Sequence, residues 1–281
     1  MSKGFRAPGP KFTWIFGLVL GLTLFIPGCG LLQRPPLQTP TSVHLVLGNP
    51  SQATTDPRNA DNYLMLKPQY ALSYNNSKRT ANWVSWELQR SWLGAVDRSN
   101  DFRPDDMLPE GWYRVTSSDY LGSGYDRGHM IPSGDRTNSR ADNSATFLMT
   151  NILPQAGDNN KGPWADLEVY CRDLVKTGKH LAIVAGGYGK KQVLVRGNIT
   201  VPSTVWKVIV VRDRSGSNLS DISVSTRVIA VWMPNVNGIR GVDWRNYRVS
   251  VDKIEAATKY DLLSNVPESV QKVIEARVDR V

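Results

Sequence analysis

Between residues 70 and 89 the chain alternates. Tyr70, Leu72 and Tyr74 stand among small or polar neighbours; after "NNSK", Val84, Trp86 and Leu88 alternate with Ser85, Glu87 and Gln89. Side chains on a strand point to opposite faces with a period of two. The pattern therefore predicts an antiparallel hairpin with one buried face, and a helix cannot satisfy it. Three further apolar runs have strand length: "LAIVAGG" (181–187), "VWKVIVV" (205–211) and "RVIAVWM" (227–233), the last two joined by a turn, "DRSGSN". "VHLVLG", from Val43, also reads as the start of a strand.

Helices are fewer. Pro163 suits a first helical turn and Gly178 suits a stop, which predicts a helix from Pro163 to about Thr177. Two more helical stretches close the chain, at 251–263 and 268–279, and in the second Val270, Val273, Ile274 and Val278 share a face. Residues 97–143 are rich in Gly, Pro, Asp, Asn and Ser and read as loops. No internal repeat and no second linker interrupts this order. The expectation is one α+β domain over residues 43–281, with a mixed, mainly antiparallel central sheet and helices.

The N-terminus has another character. Lys3, Arg6 and Lys11 precede an apolar run from Phe12 to Ile26, and "IPGCG" follows at 26–30. Residues 1–29 thus have the layout of an export signal or lipoprotein signal, with Cys29 as the lipidated residue; plain secretion and an uncleaved membrane anchor are the other readings. All three place the rest of the chain outside the cytoplasm. Residues 30–42, with three prolines, read as a tether. Cys171 then has no partner, and Leu167 and Leu174 beside it suggest a buried small hydrophobe. The formal charge is +9, and +6 without the three leading cations, since no acidic residue precedes Cys29. Such an excess suits an anionic partner, nucleic acid or a membrane surface, or simple solubility.

Some motifs lead nowhere. "GSGYDRG" misplaces the last glycine of a dinucleotide fingerprint, and "GGYGKK" lacks the Ser or Thr of a phosphate loop. Two cysteines and three histidines cannot build a structural zinc site. His44 reads as a surface or rim residue and His180 as structural. His129 differs, because it sits in "YDRGHMIPSGDR" (125–136).

That segment contains "DRGH", followed by "ATFLMTNILPQ" and then "GDNNKGPWADLEVYCR" (157–172). In these motifs, their order and their spacing, the chain from about residue 58 onward resembles the DNA/RNA non-specific endonucleases with a ββα-metal (His-Me finger) site, a family that includes endonuclease G. The resemblance implies that fold motif and the hydrolysis of phosphodiester bonds in both DNA and RNA. It also implies a Mg²⁺ cofactor, for which Mn²⁺ can stand in. Some members are restrained by a protein inhibitor.

Phosphodiester hydrolysis needs an activated water, neutralisation of phosphoryl charge and help for the leaving oxygen. Histidine suits the first task, since an ordinary imidazole with a pKa of ~6.5 is largely neutral near pH 7. The resemblance makes His129 the general base, with Gly128 expected to permit a tight turn there. It makes Asn160 the direct metal ligand, with Asn159 next door and a helix N-cap as the rival readings. Trp164, Glu168 and Arg172 share one helical face. Glu168 would hold waters of the metal's shell and Arg172 would face the phosphate; without the resemblance the two are a solvated ion pair. Arg98 matches an arginine of the family that stabilises phosphoryl charge, with Arg103 as the alternative. Asn151 would orient the histidine. Asp126 and Arg127 shape the site, and metal binding by Asp126 is the other option. A non-catalytic exported protein for nucleic-acid binding or uptake would share the basic surface but has no need of His129, Asn160 and Glu168 together; a structural lipoprotein needs none of them.

Overall fold

The structure is a computed structural model that describes residues 1–11, 42–213 and 218–281. The leader core, Cys29 and the proline-rich tether lie outside the described residues, as does most of the "DRSGSN" turn. Contacts divide the chain into Met1–Gln38 and Thr39–Val281. Residues 1–11 of the first unit are exposed and carry no regular structure. Every helix and strand below belongs to the second.

Its strands are β1 (Tyr63–Leu66), β2 (Ala71–Asn75), β3 (Thr80–Leu88), β4 (Asp126–His129), β5 (Ile152–Gln155), β6 (His180–Tyr188), β7 (Gln192–Leu194), β8 (Ile199–Val201), β9 (Thr204–Arg212), β10 (Val228–Pro234) and β11 (Arg248–Val249). Its helices are α1 (Arg140–Ala145), α2 (Gly157–Asn160), α3 (Pro163–Lys176), α4 (Val251–Thr258) and α5 (Glu268–Ile274). Seven strands pair antiparallel in the order β1-β2-β3-β6-β9-β10-β11; β4-β5 and β7-β8 form separate ribbons. The fold is α+β with a large antiparallel sheet, as the strand patterning requires.

The hairpin of β2 and β3 is present, with a bulge at Ser73/Tyr74, but it does not have one buried face: all nine residues of β3 are buried. Alternate side chains serve two cores. Tyr70, Leu72, Val84, Trp86, Ile183 and Ile209 pack under Trp164, Leu167, Cys171 and Val175 of α3. Ala71, Trp83, Ala182, Val184, Val208 and Ala230 pack under Val251 and Ile254 of α4, Ile274 of α5 and the segment Leu45–Leu47. Covering the second face demands that Ser85 and Glu87 be buried too, which the polar half of the alternation disguised. Free Cys171 is buried as expected.

"VHLVLG" is not a strand. Val43–Leu45 form a 3-10 turn, with Ser42 accepting from the amide of His44 at 3.2 Å. His44 is not at the rim either; it is 2% exposed. Its Nε2 lies 2.8 Å from the Pro68 carbonyl and its Nδ1 accepts from the Glu87 amide at 3.2 Å, which fixes the neutral Nε2–H tautomer. Burial pushes its pKa down to about 4. The two closing helices are shorter than their periodicity suggested. Lys259, with φ 63°, turns the chain out of α4, and Val273 and Val278 of the proposed apolar face are exposed while Ile274 is buried. Helix α3 follows its signals: Pro163 opens it, and Gly178, with φ 95°, closes it while Lys179 N donates to Leu174 O at 3.1 Å.

Candidate active site

Strands β4 and β5 pair antiparallel, with His129 opposite Ile152, and α3 begins a few residues beyond β5. Gly128 lies within β4, not in a turn. A Cβ there would come within 2.1 Å of Gln155 Oε1 and 2.6 Å of Gln155 Cβ, so glycine is required for close approach across the ribbon. Gln155 in turn donates to Asn159 Oδ1. The hairpin is locked from outside by buried Asn235, which accepts from Ala156 N at 2.7 Å and donates to Pro154 O and Pro202 O at 3.0 and 2.9 Å.

His129 is 8% exposed. Its ring sits 5.3 Å from Phe102 and 4.8 Å, edge-on, from Phe147. Nε2 is buried and has no hydrogen-bond partner among the described residues. Burial, reinforced by the positive charges of Arg98 and Arg127, pushes its pKa down to about 3, so the imidazole is neutral across the physiological range. Backbone contacts hold the residue in place: the His129 carbonyl accepts from Trp164 Nε1 at 3.3 Å. Asn151 does not touch the ring. It accepts from Ile131 N at 3.0 Å and donates to Ile131 O and Thr146 O, clamping the backbone that follows His129.

The two asparagines separate cleanly. Asn159 is fully buried, accepts from Gln155 and donates to Pro234 O at 3.1 Å, so it is structural. Asn160, at the end of α2, is partly exposed and donates through Nδ2 to Asp126 Oδ2 at 3.0 Å. Its Oδ1 accepts no hydrogen bond among the described residues. Asp126 also meets Lys161 Nζ at 2.6 Å. Burial raises its pKa, but the bonds from Lys161 and Asn160 outweigh that and hold the carboxyl below its usual value. The oxygen left open on Asn160 is a hard, neutral donor, and its neighbour is an ionised carboxylate. That donor set fits a hard divalent cation completed by water and phosphate.

On α3, Glu168 and Arg172 share a face but pair elsewhere. Arg172 meets buried Asp135 at 3.0 Å, and Asp135 also accepts from Trp86 Nε1 at 3.0 Å. Glu168 Oε1 lies 3.6 Å from Lys207 Nζ. Burial raises the Glu168 pKa to about 7 against the pull of Lys207. Arg98 Nη1 donates to Ser133 Oγ at 2.8 Å, its guanidinium sits 4.8 Å over Phe147, and it lies within electrostatic reach of Glu168 and His129. Arg127 covers Phe102 at 4.2 Å. Arg103, the alternative, is spent on Asp101 at 2.7 Å and on Ser144 O. His180 begins β6, away from these contacts.

Phe102, Phe147, Asp135 and Lys207 escaped the sequence reading. Only Lys207 left a signal, as the one charged residue within "VWKVIVV". It projects to the α3 side of β9, since Val205 and Ile209 pack there, and its ammonium lies 3.9 Å over the Trp164 ring.

The β4–β5 hairpin with His129, followed by α3 with Glu168 and Arg172, has the layout of a ββα nuclease motif. The chain belongs to the DNA/RNA non-specific endonuclease family, whose profile matches residues 47–269, and it is an endonuclease. It is 55% identical to a nuclease of Nostoc sp. over 266 residues, covering 93% of this chain and 97% of that one. It is 38% identical to the human mitochondrial nuclease EXOG over 162 residues, 53% of this chain and 44% of the relative. A solved structure, "Crystal structure of the EndoG/EndoGI complex: Mechanism of EndoG inhibition", shares the fold with a TM-score of 0.68 at 24% identity, covering 82% of this chain and 94% of that one.

Proposed function

We propose that the protein is a Mg²⁺-dependent endonuclease that cleaves both DNA and RNA, with His129 as general base. One observation carries this reading: His129 Nε2 has no hydrogen-bond partner among the described residues, on a ring walled by Phe102 and Phe147, so its lone pair is free for the proton of an attacking water. Asp126, on the same strand as His129, accepts from Asn160, which ties the candidate metal ligand to that strand and supports the reading further.

Asn160 Oδ1 would hold the ion, oriented by Asp126. Bound there, Mg²⁺ would supply charge neutralisation at the phosphoryl and leaving oxygens. Glu168 would hold waters of the ion's shell. Arg98 stands ready for the charge of a five-coordinate phosphorus. Arg172 anchors Asp135 and would offer its remaining nitrogens to the phosphate. Asn151 positions the backbone after His129. None of these groups reads a base edge or needs a 2′-hydroxyl, which supports activity on both nucleic acids.

The test is digestion of plasmid DNA and of RNA, with and without EDTA, by the wild type and by His129→Ala. The variant is expected to lose cleavage on both substrates while remaining folded. Full activity in either the variant or the chelated enzyme rejects the proposal. We further infer export, with Cys29 as the lipidated residue; mass spectrometry of the mature N-terminus decides it.

A further inference from the structure

Far from the catalytic hairpin, α4 and α5 converge on the opposite face of the sheet, where Val251, Ile254 and Ile274 pack on Ala182, Val208 and Ala230. The start of α4 and the end of α5 are stitched by Asp252 N donating to Glu275 O at 3.2 Å. Around that stitch, one carboxylate oxygen each of Asp252, Glu255 and Glu275 lies within 4.8 Å of the others. In a chain with an excess of nine positive charges, none of the three takes part in an ion pair among the described residues. Lys272, on α5, is turned to Glu268 at 2.7 Å instead.

A cluster of surface acids would mean little by itself. Glu275 is different: it is 7% exposed, and its Oε1 is buried with no hydrogen-bond partner among the described residues. A buried, unsatisfied carboxylate oxygen held against two further carboxylates is costly unless a proton or a cation completes it. Glu255 is already half engaged, its Oε1 accepting from Leu262 N at 2.7 Å, which fixes its direction. Burial, with repulsion from Glu255, Asp252 and nearby Asp261 added to it, raises the Glu275 pKa to about 7.

We propose that Asp252, Glu255 and Glu275 form a Ca²⁺ site that clamps α4 to α5, separate from the catalytic centre. The spacing suits it: oxygens on opposite sides of a Ca²⁺ are at most about 5 Å apart, given bonds of roughly 2.3–2.6 Å. All the donors are hard oxygens, and three carboxylates without a regular octahedral frame suit the larger, flexible oxygen shell of Ca²⁺. Binding would stabilise the native state only, because the ligands come from two helices that meet on folding.

The test is thermal unfolding of the full chain, titrated with CaCl2, for the wild type, Asn160→Ala, Glu275→Gln and Asp252→Asn. Wild type and Asn160→Ala should gain on the order of 5 °C in Tm once Ca²⁺ exceeds its Kd about a hundredfold. Glu275→Gln and Asp252→Asn should lose most of that gain and keep nuclease activity. In metal-free buffer Glu275→Gln should melt higher than wild type, because a repelling charge is gone; this shows the variant is folded. No gain in wild type, a gain retained in Glu275→Gln and Asp252→Asn, or a gain lost only in Asn160→Ala would each overturn the site.

Discussion

Lys207 Nζ and Glu168 Oε1 face each other at 3.6 Å beneath the catalytic helix, with the lysine side chain 1% and the glutamate 14% exposed. The ammonium lies between the rings of Trp164 and Trp86, at 3.9 and 5.7 Å from their centroids. A lysine in a sheet core is expensive to bury unless it is paired. Here it is what pulls against burial in setting the charge of Glu168, a candidate active-site acid.

Replacing it tests that role. Lys207→Met fills the same space without the charge, so the Glu168 pKa should climb beyond about 7. Each unit of rise removes about tenfold of the ionised form at pH below the new value. The acid limb of kcat/KM should therefore move to higher pH by a unit or more, with activity recovered on the alkaline side. An unmoved limb would show that Lys207 only packs.

Stability should also record Glu168. Its folded pKa of about 7 exceeds the ordinary value of 4.5, so the native state holds the proton more tightly than the unfolded chain. That contribution is present below pH 4.5 and is lost as pH rises towards 7. In metal-free buffer, Glu168→Gln should flatten this part of the stability–pH profile measured by urea unfolding.

His44 works in the other direction. Protonating Nδ1 would set a second N–H against the Glu87 amide that it now accepts from. The native state therefore resists the proton down to about pH 4, while the unfolded chain accepts it near 6.5. Stability should fall as pH drops through that window, by roughly 3 kcal/mol from this group. His44→Gln should be less stable than wild type at pH 7 and should lose less on acidification; an unchanged acid slope would refute the assignment.

The aromatic pair around His129 can be opened. Phe102→Ala would admit water to the imidazole and expose it to solvent screening of Arg98 and Arg127. The His129 pKa should rise from about 3 towards its ordinary value, followed by the ring proton shift in NMR of the metal-free protein. A value still near 3 would show that Phe102 does not supply the burial.

Gly128→Ala is a sharper steric probe. Its methyl meets Gln155 at under 3 Å, and displacing Gln155 breaks its bond to Asn159, the neighbour of Asn160. A stability cost of about 1–3 kcal/mol is expected. The loss of kcat should exceed what that cost alone would explain.

The parts of the site that follow from short-range pattern were visible in the residues themselves. "DRGH" marked His129, and helical spacing put Glu168 and Arg172 on one face of α3, whose two ends Pro163 and Gly178 announced. What escaped depends on distant partners. His44 becomes a core residue because Pro68 and Glu87 reach it from β-hairpin neighbours. The Glu168–Arg172 pair that stood as the alternative reading gives way to Lys207 and Asp135, which β9 and a loop deliver from elsewhere in the chain. Phe102 and Phe147 are ordinary apolar residues in sequence and become an imidazole's walls only after the loops close.

One side chain governs whether all of this comes together. Asn235 staples residues 154 and 156 from a point long past the last candidate catalytic group. A nascent or proteolysed fragment ending short of it would carry His129, Asn160 and Glu168 intact, yet with the ribbon beneath them untethered. Nuclease power would then arrive late in synthesis, only after residue 235 has emerged, and loss of the chain beyond any point between Arg172 and that amide would disarm the protein while leaving every candidate catalytic group in place.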